Sequence, residues 1–433
     1  MPCVDVETLG WLRSDEGRET LAAASAALGG GESDLTVGSR LRRSLAPERA
    51  AAVVAQVRLR ERAAGKFGEL ASSMWFVPEA LEQATRLRVA DHRAARLAAA
   101  SQAAGATWSV VDLGCGIGGD LIAMARAGLV VAGVERDPLR AALAGANLAD
   151  LGLDGAVMVA EAGAVDVRPF DAALCDPARR DGTGRTWDPE VWSPPWPFVT
   201  SLLRGEAVVK TAPGIAHEAV PDGVEAEFVS DAGDLKEAAL WGGDLRTCAR
   251  RATVLREGSR PSTLTDADDP GPDAVGVREV RDFLLEPDDA VVRAGLVTAV
   301  AAAAGGGLVD PHLAYVSAPR PLDTPLARAY RVVEEVPYRE KALRAALRTR
   351  RIGRLTIKKR GVGISPEQLR VRLALRGDEE ATLLLTRTPD GARAYLVDPV
   401  RPREAADHAD TGTKRDRRPQ PVARNRRDFG PER

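Results

Sequence analysis

The sequence predicts an α/β protein: a doubly wound parallel sheet, preceded by a helical domain and followed by a small α+β domain. Three observations predict it. From Trp108 onward short apolar runs (SVVDLG, LVVAGVE, DGAVMVAE, DAALCDP, GEAVVKT) alternate with helix-like segments, the pattern of parallel strands joined by helical crossovers. Before them, residues 1–95 lack strand alternation and repeat apolar residues every three or four positions, as in RAAAVVAQVRLRERAAGKF. The chain of 433 residues also exceeds what one hydrophobic core usually supports.

The elements follow in order. Residues 1–95 are read as an N-terminal helical domain and 96–262 as the sheet domain. Thr263 to Val277, TLTDADDPGPDAVGV, concentrates Asp, Pro and Gly and is expected to be a linker or long loop, opening a connecting α/β segment over 263–340. Within that segment VREVRDFLLEPDDAVVRAGLV predicts a strand, a turn and a helix with acids at its start. Residues 341–400 are expected to form a compact basic domain, with ATLLLTR and ARAYLVDP as strands flanking a Pro-Asp-Gly turn. From Arg401 almost nothing is apolar, and 401–433 is read as a disordered tail.

Composition narrows the function classes. A hydrophobic fraction of 45% beside 28% charged residues is that of a globular protein, and no run is long and apolar enough to span a membrane. No cleavable leader pattern opens the sequence, so a cytoplasmic location is expected. Cys3, Cys115, Cys175 and Cys248 lie far apart, without CxxC or His at ligand spacing, so neither a structural metal nor a disulfide framework is expected. Net charge is only -2, yet Lys341 to Arg376 holds twelve Lys or Arg against one acid, Glu367. Such a block points to a polyanion contact, although a solvated helix face gives the same composition.

The stretch VVDLGCGIGGD carries the first functional signal. Ser109 to Leu113 reads as a buried strand, and Gly114, Gly116 and Gly118 follow before a helix, letting the backbone turn sharply and approach a ligand. A glycine loop in this Rossmann-like setting serves several cofactors. Asp112, inside the strand, can accept from an amino or cationic group. Asp120 at the helix start would repel a pyrophosphate, which argues against a dinucleotide. Glu135, 23 residues after Asp112, ends the second strand where an acid grips ribose hydroxyls.

This arrangement resembles class I S-adenosylmethionine-dependent methyltransferases. The resemblance implies S-adenosylmethionine as cofactor, with the loop and Asp112, Asp120 and Glu135 around its methionine and ribose. Glu161 and Ala162 fall where the family contacts adenine, Glu standing for the usual Asp.

The second signal is FDAALCDPARR, in which Asp176 and Pro177 end a strand beside the cofactor loop. In amino-group methyltransferases this position reads Asp or Asn, Pro, Pro, aromatic, and the acid accepts amino hydrogens while the ring stacks on a base. Here Ala178 and Arg179 replace Pro and the ring, and Arg179 with Arg180 is expected to stack on a base or grip phosphate. A literal SPPW occurs later, Ser193 to Trp196, in a loop where Trp187, Trp192 and Trp196 cluster. Trp196 is assigned to substrate stacking, with core packing as the competing account. Thiolate catalysis does not fit: Cys175 should face away from Asp176, Cys115 belongs to the cofactor loop, and Cys248 has no base beside it.

The order of helical lead-in, methyltransferase sheet and basic C-terminal module looks like the bacterial family of methyltransferases with a THUMP-like C-terminal domain. KFGELASSMWFVPEALEQATRLRVADHRAAR, EPDDAVVRAGLV and IGRLTIKKRGVGISPEQLRVRL carry the likeness, which covers most of residues 60 to 398. A weaker likeness links MWFVPEAL and GCGIGGD to cap-hypermethylating guanosine methyltransferases, and breaks where SPPW is missing from the strand end. The family implies an RNA substrate. In TIKKRGVG, Lys358, Lys359 and Arg360 leave a strand into a Gly-X-Gly turn and are read as phosphate contacts, with a basic hairpin that merely aids solubility as the competing account. Methylation of RNA at an exocyclic base nitrogen is the leading expectation. A protein or small-molecule methyltransferase is the alternative, and a module that only binds the cofactor is disfavoured by Asp112, Glu135 and Asp176 together.

Overall fold

Helix starts in the lead-in are written chemically. α1 (Val6–Leu12), α2 (Asp15–Gly29) and α3 (Asp34–Leu41) each follow a residue, Asp5, Ser14 or Ser33, whose side chain accepts a first-turn backbone N–H. α4 (Pro47–Phe67) and α5 (Pro78–Gln83) begin with proline, whose missing N–H would have had no helical partner there. α6 (Leu87–Ala103) buries Val89, Ala90, Ala94 and Leu97, and one cation among them, Arg93.

The computed structural model describes residues 4–177 and 192–400, and by backbone alone the paired strands at 180–181 and 184–185. Arg179, Trp187, the Arg180 side chain and the expected tail 401–433 lie outside the described residues.

After α6 come β1 (Ser109–Leu113), α7 (Gly119–Arg126), β2 (Val130–Glu135), α8 (Pro138–Asp150), β3 (Ala156–Val159) and β4 (Ala172–Cys175). β5 (Arg180–Asp181) and β6 (Gly184–Arg185) pair with each other. Then follow α9 (Trp196–Leu202), β7 (Ala207–Thr211), β8 (Glu225–Asp231), β9 (Asp234–Trp241), β10 (Arg250–Leu255) and β11 (Ser262–Thr265). One nine-stranded sheet runs β11-β10-β8-β9-β7-β4-β1-β2-β3. β1 pairs in parallel with both β2 and β4, so the winding reverses there and a crevice opens at the carboxyl edge. β9 lies antiparallel between β7 and β8.

The Asp- and Pro-rich stretch expected as a linker is instead ordered. Thr265 and Asp268 cap each other, and Asp266 accepts the N–H groups of Ala249 and Arg250, both at 2.9 Å, which pins β11 to the sheet edge. Beyond it lie α10 (Pro272–Val275), β12 (Phe283–Pro287), α11 (Asp289–Arg293), α12 (Val297–Ala303), β13 (Gly307–Asp310), β14 (Leu313–Ala318) and β15 (Ala327–Val336). α13 (Glu340–Thr349), β16 (Ile352–Arg360), α14 (Pro366–Leu373), β17 (Glu379–Thr388) and β18 (Gly391–Pro399) complete the described chain. Seven strands form a second sheet, β13-β14-β12-β15-β18-β17-β16, so the boundary expected at 340/341 falls inside one hydrogen-bonded layer.

The two sheets share a core. One apolar cluster runs from Val111, Val209 and Phe228 through Ala290 and Val291 of α11 and Ala294 just after it to Leu285, Val316 and Ala329 of the second sheet. Arg293 of α11 reinforces the joint by donating to the carbonyls of Pro213 and Ile215, at 2.8 and 2.6 Å. No helix of the described residues is long and apolar enough to cross a membrane.

The lead-in is tied to the glycine loop by one buried amide. Asn147 of α8 accepts the Trp75 N–H at 2.7 Å and donates to the carbonyls of Trp75 and Ile117, at 3.2 and 2.9 Å. Each buried group left unpaired costs about 1–3 kcal/mol, so Asn147→Ala should lose at least about 2 kcal/mol of stability. Denaturant titration should show a lower midpoint with unchanged slope; a wild-type midpoint would refute the tie.

Candidate active site

The glycine loop is shaped by what surrounds it. Gly114 has φ +89°, and a Cβ there would stand 3.1 Å from the Asp176 carbonyl oxygen, so the loop after β1 and the loop after β4 touch backbone to backbone. The N–H groups of Gly114 and Cys115 both donate to the Val134 carbonyl, at 2.8 and 3.0 Å. Gly116 and Gly118 also have positive φ, and nothing approaches the Cβ position of Gly116. That position is open space, as a ligand-bearing loop requires.

Glu135 braces this loop. One carboxylate oxygen accepts the Gly116 N–H at 2.9 Å and the other accepts the Asp137 N–H at 3.0 Å. Glu161 and Ala162 follow β3, Glu161 exposed and Ala162 half-buried, and the Ala160 N–H donates to the Glu135 carbonyl at 3.1 Å. The acids expected for ribose and adenine therefore lie at one edge of the sheet.

Asp112, Asp120 and Asp176 converge, through two cations that sequence reasoning missed. Lys210 of β7 donates to Asp176 at 2.5 Å and to Asp120 at 3.1 Å. Arg93 of α6 reaches Asp120 with two nitrogens, at 2.5 and 3.2 Å, and pairs with Glu237 of β9. Both left a signal in the sequence: Lys210 is the one charge in the apolar run AVVKT, and Arg93 interrupts the buried face of α6. Asp120, placed beside the cofactor from sequence, spends its carboxylate on these cations. Asp112 is buried, and its Oδ1 finds no hydrogen-bond partner among the described residues.

The electrostatics follow from four carboxyls sharing two cations. Burial alone would raise Asp120, but Arg93 and Lys210 hold it well below the usual range. Burial would lower Lys210, yet Asp120 and Asp176 lift it. Asp112 is raised well above its ordinary value, first by burial and then by Asp120, with Lys210 only partly opposing. Glu237 is likewise raised by burial. Of the four carboxyls, Asp112 is the one with no cation bonded to it among the described residues. An orphaned buried carboxyl oxygen on Asp112 and open space at Gly116 together fit a ligand carrying cationic sulfur and an amino group.

Cys115 and Cys175 are both buried, and burial pushes each thiol up, so neither is a thiolate near neutral pH. Trp196 opens α9, half-buried, its ring edge-on to Trp192 at 5.4 Å. Pro177 is buried behind Asp176.

The basic triad of β16 divides. Lys358 pairs with Glu286 and Arg360 with Asp289, each at 3.3 Å, and both line a cleft of about 440 Å³ between the two sheets. Lys359 is exposed and belongs to the other strand face, where Leu355 and Ile357 pack under the helices. Much of the block's charge is already answered: Arg350 pairs with Glu334, Arg351 with Asp378, Arg354 with Glu380, and Arg344 and Arg372 with Glu340.

A reversing parallel sheet, a glycine loop with acids ending β1 and β2, and a carboxyl edge closed by Asp176-Pro177 define a class I S-adenosylmethionine-dependent methyltransferase. The chain is 37% identical over 362 residues to an uncharacterized S-adenosylmethionine-dependent methyltransferase of Mycobacterium tuberculosis H37Rv, covering 81% of this chain and 96% of the relative. The same values hold for the counterpart in strain CDC 1551. It belongs to that family, and S-adenosylmethionine is its cofactor. A crystal structure from Porphyromonas gingivalis W83, assigned as a methyltransferase, has the same fold at TM-score 0.68 and 22% identity, over 88% of this chain and 98% of that one. A THUMP domain-like profile matches residues 327–399, starting with β15, and a domain-of-unknown-function profile matches residues 5–63.

The raised Asp112 carboxyl gives a signed prediction. It keeps its proton at pH values where an exposed carboxylate has lost it, whereas a cationic ligand favours the ionised form. Cofactor binding should therefore release a proton, and affinity should rise with pH. By the same shift the unfolded chain gives up that proton first, so Asp112 lowers stability as pH rises above the ordinary carboxylate range. Asp112→Asn should abolish the proton release and weaken S-adenosylmethionine binding by about 1.5–3 kcal/mol. Calorimetry in buffers of different ionisation enthalpy measures both; equal proton release in the variant would refute the assignment.

Proposed function

We propose that the enzyme methylates RNA at an exocyclic base nitrogen. The observation that carries this reading is the pairing of an Asp-Pro corner, at which Asp176 is partly accessible, with a THUMP-like domain whose helical face is basic. Asp176 is the exposed end of the buried charge cluster, its side chain 32% accessible against 9% for Lys210. When bound, S-adenosylmethionine supplies an electrophilic methyl: the acceptor nitrogen bonds to its carbon as the carbon–sulfur bond breaks, the electron pair returns to sulfur, and the nitrogen's proton leaves to solvent.

The chain's own groups prepare the acceptor. Asp176 accepts an amino hydrogen, which turns the nitrogen lone pair toward the cofactor loop that its own backbone touches at Gly114. Pro177 fixes the corner after β4. Trp196, at the start of α9, offers a ring on which a base can stack. Glu135 holds the loop through Gly116 while its remaining lone pairs serve ribose. Glu135 is buried, so little water competes with its bonds, whereas Asp176 and Trp196 stay partly open to an incoming acceptor.

RNA docking is assigned to the face of α13 and α14. Lys341, Arg348, Lys359 and Arg370 are exposed there, and none of the four forms an ion pair among the described residues. Lys358 and Arg360, paired to acids in the cleft, are the weaker phosphate contacts of the block.

Two measurements test the reading. Asp176→Ala should lower turnover at least about a hundred-fold while S-adenosylmethionine affinity stays near wild type, because the interaction is made chiefly in the transition state; an equally active variant would remove Asp176 from the reaction. Replacing Lys341, Arg348, Lys359 and Arg370 with Ala should weaken RNA binding and flatten its salt dependence by about 0.7–0.9 per cation on the logarithmic slope. Polyglutamate bound as tightly as RNA would favour an acidic protein substrate instead.

A further inference from the structure

We propose that Lys210 is a positioning residue for methyl transfer, clamping one oxygen of Asp176 so that the carboxylate meets the acceptor nitrogen in a single orientation. The proposal deepens the reading of Asp176 as the acceptor's partner and rests on it. Register places the two side by side: Cys175 of β4 pairs with Val209 of β7, so Asp176, just past the end of β4, lies next to Lys210, which is still within β7. Lys210 is buried, and its ammonium bridges Asp176 Oδ2 at 2.5 Å and Asp120 Oδ2 at 3.1 Å.

The second bridge makes the first one rigid. Asp120 sits in the first turn of α7 and is itself held by Arg93, which Glu237 holds from β9. A lysine side chain normally keeps several rotatable bonds free, and here both ends are fixed, the backbone in a central strand and the ammonium between two carboxylates. Asp176 lies just past the end of β4, outside regular structure, so its side chain gains from an external restraint that keeps one orientation. A carboxylate with one oxygen so engaged directs the other, and the direction is what a nitrogen lone pair must match for in-line attack. Lys210 hydrogen-bonds neither the loop glycines nor Glu135; its two bonds go to Asp120 and Asp176, and of these Asp176 is the one that faces the acceptor in the proposed reaction.

The test uses the full chain with tritiated S-adenosylmethionine and two acceptor pools from cells lacking the gene, bulk RNA and bulk protein. Lys210→Met should lower turnover about a hundred-fold, the cost of a misplaced reacting group, while S-adenosylhomocysteine affinity by calorimetry stays near wild type. Lys210→Arg, which restores a cation, should recover part of the turnover. Wild-type turnover in Lys210→Met, or a loss of S-adenosylhomocysteine affinity as large as the loss of rate, would overturn the proposal. Should Lys210→Met fail to fold, Lys210→Gln, polar but uncharged, takes its place with the same criteria.

Label entering protein rather than RNA would sink the RNA reading and leave the Lys210 comparison to be made on the protein pool. If the wild type labels neither pool, crystal structures with S-adenosylhomocysteine decide. An Asp176 carboxylate that swings or splits in Lys210→Met supports the clamp, and one that keeps its wild-type place overturns it.

Discussion

Two cations buried among four carboxyls hold the active edge of this protein together. Ions out of water are tolerated only when partners satisfy them, and removing one partner leaves another uncompensated. The ion-paired members of this cluster come from five places, Arg93 from α6, Asp120 from α7, Asp176 from the loop after β4, Lys210 from β7 and Glu237 from β9, and the fourth carboxyl, Asp112, comes from β1. Each element is therefore located by the others. The helical lead-in is part of the catalytic body, since it supplies Arg93 and, through the Trp75 contact with Asn147, reaches the glycine loop.

The parts of the molecule that were legible in the sequence are those whose constraint is local. A buried strand followed by glycines at alternate positions has few other uses, so GCGIGGD, Glu135 and Asp176 could be placed together from spacing, and the parallel strands β3, β2, β1, β4 and β7 followed from short apolar runs alternating with helix-like segments, whereas the edge strand β11 was read as linker. Lys210 and Arg93 were missed because their meaning is nonlocal. Each pairs with acids that are 27 to 144 residues away in sequence, and a single charge in an apolar run does not reveal its partner.

The basic block shows the same limit from the other side. Twelve cations against one acid looks like a strong positive field when counted along the chain. Folded, the block meets Glu286, Asp289, Glu334, Glu340, Asp378 and Glu380, all supplied from outside the counted window. Exposed pairs of this kind contribute little to stability, but they do cancel far field. The three consecutive cations of β16 were read as one group, whereas strand alternation sends Lys359 to one face and Lys358 and Arg360 to the other. The linker expectation failed for a related reason: Asp266 and Asp268 serve as local caps, which composition cannot distinguish from solvated loop acids.

The shared core of the two sheets has a consequence for selectivity. α11 is packed into both layers, and Arg293 is bonded to the backbone beyond β7, so the THUMP-like domain is set at a constant offset from Asp176 rather than hung on a tether. A tethered module searches a volume and accepts partners of many lengths. A fused one acts as a caliper. Any substrate that touches both jaws is selected by the span between its docking group and its reacting atom, and one that is too short or too long gains from only one contact at a time. Discrimination of this kind asks nothing of the residues around the reacting nitrogen, which leaves the Asp-Pro corner free to remain chemically simple.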